Sequence, residues 1–206
     1  MRVGLACIVE GHGECEAVPV LVRRIAAQLD PALRMRIPPP LRVPKSRLLK
    51  PGELERTVEL AARKVGRPGA ILILLDSDED CPAEWGPTIL KRAVDARGDL
   101  AAAVVLAKRE FEAWFLAAAK SLRGARGLRS DLESPRDPEG IRGAKEWLSE
   151  RMEGDRHYVE TLDQPALAAR FSIEEARRAA SFEKCYREVV HLVTVQMGDF
   201  EYETIP

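Results

Sequence analysis

The chain has 206 residues, 46% of them hydrophobic and 32% charged, with a formal net charge of −1. That size suits one domain with a helical appendage, and 32 Lys and Arg against 33 Asp and Glu exclude a generally basic, nucleic-acid-coating protein while leaving room for a local basic face. No apolar run approaches the ~20 residues that span a bilayer, and the N-terminal run is too short and too soon interrupted for a signal peptide.

Four cysteines, Cys7, Cys15, Cys81 and Cys185, show no CxxC pairing and suit reduced thiols in a cytoplasmic protein. The first element is the apolar run Val3-Gly4-Leu5-Ala6-Cys7-Ile8-Val9, a strand that ends on Glu10. Gly11-His12-Gly13-Glu14 follows, and then Val18, Leu21, Val22, Ile25 and Leu29 share one helical face. The two glycines allow a sharp turn and a close approach of backbone to a ligand. The Walker lysine is missing, so a phosphate-cradling loop of that type is not expected.

Residues 35–44 hold an edge strand interrupted by Pro38, Pro39 and Pro40, which cannot donate to a ladder. Arg42, Lys45, Arg47 and Lys50 then gather in a short span. The plain reading is a solvated loop; the functional one is a contact surface for a phosphate backbone. Residues 53–65 form a helix with Leu54, Val58, Leu60 and Ala61 as apolar positions, closed by Gly66.

Ala70 to Leu75 is an unbroken apolar run, the pattern of a short strand buried on both faces. It leads directly into Asp76-Ser77-Asp78-Glu79-Asp80. A parallel strand ends at the carboxyl edge of its sheet, where ligands of open α/β sheets bind. Clustered carboxylates repel one another there, and a hard divalent cation is their natural neutraliser.

Residues 83–96 read as a helix despite Gly86-Pro87, and residues 100–107 as a third buried strand. That strand hands over to Lys108-Arg109-Glu110-Phe111-Glu112-Ala113-Trp114, the start of a further helix. Beyond about residue 120, Gly124, Gly127, Pro135, Pro138, Gly140 and Gly143 punctuate a polar stretch read as a linker or flexible loop. Helices follow near 141–153, 165–169, 173–179 and 181–195, before an acidic tail from Gly198 that is expected to fray. The expected organisation is an α/β core over 1–120, with a mostly parallel sheet of about four strands flanked by helices. Residues 121–206 add a linker and a helical C-terminal extension packing on that core.

Three strand ends therefore deliver acids: Glu10 with Glu14, Asp76 with Asp78 and Asp80, and Glu110 with Glu112. If the strands are parallel neighbours, these groups converge. Singly, each has a plainer role, as an anion at a helix N-terminus, a cap, or an exposed helix residue. An EF-hand reading of Asp76, Asp78 and Asp80 fails, because Cys81 stands where its glycine belongs and Pro87 where its final glutamate belongs. A phosphatase of haloacid-dehalogenase type also follows a strand with DxD, but on the first strand, and it stays a minor alternative.

Val9-Glu10-Gly11 with Glu14, and Leu75-Asp76-Ser77-Asp78, resemble the two signature motifs of Toprim domains. With Glu110-Phe111-Glu112-Ala113-Trp114, Leu162-Asp163-Gln164-Pro165 and Ser181-Phe182-Glu183-Lys184, the chain resembles a stand-alone bacterial Toprim-like family of unassigned function. That family is related to the Toprim domains of overcoming-lysogenisation-defect nucleases. The resemblance implies a Mg²⁺- or Mn²⁺-dependent nuclease acting on nucleic-acid phosphodiesters, in bacterial defence with an ATPase partner encoded nearby. It implies a catalytic set of Glu10, Asp76, Asp78 and Lys108, and metal ligands drawn from Glu10, Glu14, Asp76, Asp78, Asp80 and Glu112. Arg42, Lys45, Arg47, Lys50 and Arg109 would contact the nucleic acid. Seven acids exceed what one ion needs, which favours two. The rival is a non-catalytic metal- or nucleic-acid-binding regulatory subunit of an ATPase system. Nothing in the sequence fixes an oligomeric state.

Overall fold

Side chains of the first strand, β1 (Arg2–Val9), alternate between two cores in the computed structural model, which describes residues 2–203. Val3, Leu5, Cys7 and Val9 enter one core and Ala6 and Ile8 the other. The same alternation governs β4 (Ala70–Asp76) and β5 (Ala101–Ala107), so Leu72 and Leu74 face one way and Ile71, Ile73 and Leu75 the other. Because both faces are covered, the pattern in the sequence is a continuous apolar run rather than an alternating one.

The chain visits the elements in the order β1, α1 (Glu14–Leu29), β2 (Arg34–Arg36), β3 (Leu41–Arg42), α2 (Lys45–Leu48), α3 (Glu53–Val65), β4, α4 (Pro82–Ala96) and β5. The sheet has five strands, all parallel, in the order β2-β1-β4-β5, with β3 also on β1. Pro38, Pro39 and Pro40 lie between the two short edge strands, where a missing N–H interrupts no ladder. From β1 the chain first steps to one neighbour and later returns to the other, so β1 and β4 flank the point where the winding reverses. Crevices outside the carboxyl ends of such strands are where doubly wound sheets bind ligands.

Helix α3 shows how local pattern becomes packing. Leu54, Val58, Ala61, Ala62 and Val65 recur at helical spacing and are buried against the sheet, with Gly52 before the helix and Gly66 after it in left-handed conformations. Leu60, expected among them, points outward and is 47% exposed, since it lies about 100° around the helix from even the nearest residue of the stripe. In α4, Pro82 sits at the first helical position, where its missing N–H is not needed, and Gly86-Pro87 lies within the helix.

After β5 come α5 (Ala113–Ala117), α6 (Ala144–Ser149), α7 (Glu160–Ala168), α8 (Ile173–Ala176) and α9 (Ala180–Glu203). The stretch read as a linker is ordered: it holds three short 3-10 turns, with Leu128, Leu132 and Pro138 buried. Helix α9 packs across β5, β4 and β1 and beside α1, and Phe182, Cys185, Val189, Leu192 and Val193 share the core with the sheet. The extension thus packs on the α/β core through one continuous apolar interior. Gln196 accepts a hydrogen bond from the Gly4 backbone at 3.0 Å, which tethers α9 beyond its expected end. Helix α9 extends as far as Glu203, and residues 204–206 lie outside the described residues.

The five-ring cluster Phe111, Trp114, Phe115, Phe171 and Phe182, with centroids 4.6–5.5 Å apart, cements α5 to the C-terminal half. Ser181 fixes its register. Its hydroxyl oxygen accepts from the Trp114 indole at 2.8 Å and from the Lys108 backbone at 3.1 Å. Among the described residues no helix is long and apolar enough to cross a membrane, and all four cysteines are free.

Candidate functional site

The turn after β1 is built by Glu14 bending back on it. One carboxylate oxygen accepts from the backbone N–H of Glu10 at 2.9 Å and of Gly11 at 3.0 Å. Burial pushes this carboxyl up to about 7 against those two hydrogen bonds, with Glu112 and Glu10 adding repulsion. Glu10 accepts from the Lys45 backbone through one oxygen at 3.0 Å, and its other oxygen is buried without a partner.

The neighbouring strand, β4, delivers Asp76 at its carboxyl end. Its Oδ1 accepts from the Phe111 backbone at 2.8 Å. Burial holds the Asp76 carboxyl well above the usual range, and Glu14 and Glu112 push it further, against Lys145. Beyond β5, Glu112 is fully buried. Its Oε1 accepts from the Tyr158 hydroxyl at 2.9 Å and from the Gln164 amide at 3.1 Å, while Oε2 has no hydrogen-bond partner. Burial raises Glu112 to about 7, outweighing the relief offered by Lys145 and the Tyr158 hydrogen bond, with Glu110 adding a small repulsion. Burial and Glu112 likewise raise the Tyr158 phenol, which stays a donor.

Buried Glu14 and Glu112 and half-buried Asp76 are therefore one mutually repelling group, with Glu10 at its edge. Lys145 faces it, its ammonium 3.6 Å from Glu112, 3.6 Å from Glu160 and 3.7 Å from Glu110. Burial opposes the Lys145 charge, and the surrounding carboxylates outweigh burial and raise its pKa. One ammonium does not balance this group.

Asp78 and Asp80 belong elsewhere. The Lys45 ammonium donates to the backbone oxygens of Asp76 at 3.0 Å and Ser77 at 3.2 Å, pairs with Asp78, and lies 3.3 Å from Asp80. Burial works against that charge, but the two aspartates raise the lysine pKa overall. Lys45, expected to meet nucleic acid, is thus the internal counter-ion of two expected metal ligands. Arg47 is likewise paired, to Glu53 at 2.8 Å, whereas Arg42 and Lys50 are exposed. Lys108 is exposed too, and Arg109, not Lys108, lines the nearby cavity. That cavity, about 410 Å³, is lined by Asp76, Glu79, Arg109, Glu110, Arg142 and Lys145, among others.

The glycine loop also departs from expectation. The group that comes close to Gly11 and Gly13 is helix α7. Glu160 accepts from the Gly13 backbone at 3.1 Å, and a β-carbon on Gly13 would meet the Glu160 backbone oxygen at 2.7 Å. Lys145, Tyr158, Glu160, Gln164 and Arg142 were not among the expected site residues. Only Gln164 carried a signal, within Leu162-Asp163-Gln164-Pro165.

In donor type and charge the Glu10, Glu14, Asp76 and Glu112 set fits a hard divalent ion; one buried oxygen of Glu10 has no hydrogen-bond partner, and Oε2 of Glu112 faces only the Lys145 ammonium at 3.6 Å. Among the described residues, however, no three His, Cys, Asp or Glu side chains are drawn together as a metal-holding group.

A family model matches residues 9–189, and its description is a domain of unknown function, DUF4276. The chain belongs to that family. Its span covers every residue of the acidic centre, from Glu10 to Gln164. Comparison with curated proteins and with solved structures gave no match.

Proposed function

We propose that this DUF4276 chain is a divalent-cation-dependent phosphodiester hydrolase acting on nucleic acid, with its centre at Glu10, Glu14, Asp76 and Glu112. One observation carries the reading: Glu14 at the start of α1, Asp76 at the end of β4 and Glu112 just ahead of α5 form a common, largely buried group whose charge a single lysine does not balance. A structural role alone gives no reason to gather repelling carboxylates out of water. Mg²⁺ or Mn²⁺ held by these carboxylates would supply charge neutralisation at a phosphate and an activated water. The chain's own groups do the positioning: Tyr158 and Gln164 orient Glu112, the Phe111 backbone orients Asp76, and Glu14 shapes the loop that carries Glu10. The Toprim-like motifs support the same reading, with an ATPase partner as its companion and the cytoplasm as its setting.

The test is cleavage of DNA and RNA by purified protein with Mn²⁺ or Mg²⁺. Asp76→Asn and Glu10→Gln should each abolish it, and cutting that survives both substitutions overturns the proposal. A second reading, a non-catalytic regulatory subunit, draws on Lys45. An ammonium already fills the space between Asp78 and Asp80, so that pair has no need of a metal. Mn²⁺ binding without turnover, together with an ATPase recovered from native cells, would favour it.

A further inference from the structure

Glu79, on the loop after β4, is 66% exposed, yet both its carboxylate oxygens are engaged. Arg109 donates to one from its Nη1 at 2.6 Å, and Arg142 to the other from its Nη2 at 3.1 Å. These guanidinium groups come from different parts of the chain, one just after β5 and one just before α6. Both line the cavity that Asp76 and Lys145 also line. Arg109 keeps a further donor, its Nε, buried and without an acceptor. Two planar donor groups closing on one carboxylate is the arrangement by which arginines grip a phosphate.

We propose that Arg109 and Arg142 form the seat for a substrate phosphate, that Glu79 is the internal anion filling it in the free protein, and that the phosphate is a terminal one on a nucleotide-sized unit. The size follows from the cavity. Its roughly 410 Å³ lies in the small-molecule range of about 300–1,000 Å³. A long duplex needs an extended basic surface, and three of the five cations expected to supply it, Lys45, Arg47 and Arg109, are already paired within the chain. Glu79 can be displaced, because its own exposure and that of Arg142 leave its ion pairs screened by water and weak. The inference rests on the hydrolase reading for what becomes of the bound group, but the seat itself needs no metal.

The experiment is calorimetry in EDTA with inorganic phosphate, thymidine 5′-monophosphate and thymidine, on the full chain and on Glu79→Gln, Arg109→Gln and Arg142→Gln. The nucleotide should bind more tightly than phosphate, and thymidine not at all. Glu79→Gln should tighten nucleotide binding about three- to tenfold as the competing anion is removed. Arg109→Gln and Arg142→Gln should each weaken it about tenfold or more. Arg142 is 73% exposed, so its variant should melt like the unmodified chain and keep the test valid should Arg109→Gln misfold. Nucleotide binding that ignores both Glu79→Gln and Arg142→Gln overturns the seat, and inorganic phosphate binding equally well overturns the nucleotide-sized unit. A seat that behaves as stated in a protein that never cuts with Mn²⁺ leaves the seat standing and sinks the hydrolase reading. Asp76-dependent cutting with no effect of Glu79→Gln does the reverse.

Discussion

The hydroxyl of Tyr158 lies 2.9 Å from Oε1 of Glu112, joining a side chain just ahead of α7 to the first residues past β5. It is one of two hydrogen bonds to a carboxylate that has no contact with solvent. Tyr158→Phe removes the donor and keeps the ring, so the loss isolates that bond. A hydrogen bond to a charged group is worth about 1.5–3 kcal/mol, and urea unfolding at pH 8 should show a loss of that size. The same bond holds the Glu112 pKa down, so in the variant this carboxyl should titrate above its value of about 7.

Stability should depend on pH in a direction opposite to that of an ordinary salt-bridged carboxylate. Glu14 and Glu112 are raised from 4.5 to about 7 in the fold. Between those values the folded chain binds more protons than the unfolded one. The stabilisation is therefore complete below about 4.5 and is lost as pH rises toward 7. One such group changes stability on the order of 3 kcal/mol, and the coupled pair less than twice that. A divalent ion supplies the missing positive charge when protons are gone. Mn²⁺ should then raise the melting temperature at pH 8 and have little effect at pH 5, where protons compete with it. Asp76→Asn should abolish the Mn²⁺ shift. Thermal melts that ignore Mn²⁺ at both pH values would remove the basis for a cation at this centre.

Gly13 is required by the approach of α7. Its backbone lies in ordinary helical space, so an alanine there meets no torsional penalty. The added methyl would instead collide with the Gln164 side chain and with the Glu160 backbone. Overpacking of this kind costs about 1–3 kcal/mol, and backbone offers less give than a side-chain end. Gly13→Ala should destabilise the chain by that amount in chemical denaturation. It should also displace Gln164 from Glu112, so the variant's pH dependence should shift together with its stability.

The strands and the acids at their ends were legible because burial on both faces of a parallel sheet writes itself as unbroken apolar runs. Ala70 to Leu75 is the clearest, and the parallel pairing of β1, β4 and β5 puts Glu10, Asp76 and Glu112 at one edge, as expected. Periodicity reports which faces are buried and is silent on which loop charges find each other. Lys45 looked like one cation among several in a polar loop, yet it neutralises Asp78 and Asp80. Arg142 and Lys145 sit where glycines and prolines break every period, so nothing linked them to a cavity formed by strands 35 or more residues earlier. Glu139 shows the same limit: it is buried because it accepts from the backbone of Ala180 and Ser181 at the start of α9.

Lys45 offers the sharpest test of how many cations the acidic loop takes. Its ammonium lies among four oxygens, two from the backbone and two from Asp78 and Asp80. That is an oxygen cage with a tethered positive charge inside it. Lys45→Met keeps the aliphatic stem that packs along the loop but takes the charge away, leaving Asp78 and Asp80 to repel each other. In EDTA the variant should be less stable by about 1–2 kcal/mol, since these pairs are partly exposed on the aspartate side. With Mn²⁺ it should regain that loss and bind one more ion than the unmodified chain, as counted by calorimetry. The reason is that hard divalent ions favour the oxygens the lysine had held. If the stoichiometry is the same in both proteins, Asp78 and Asp80 serve only to anchor Lys45, and the metal-binding role expected of them from the sequence is excluded.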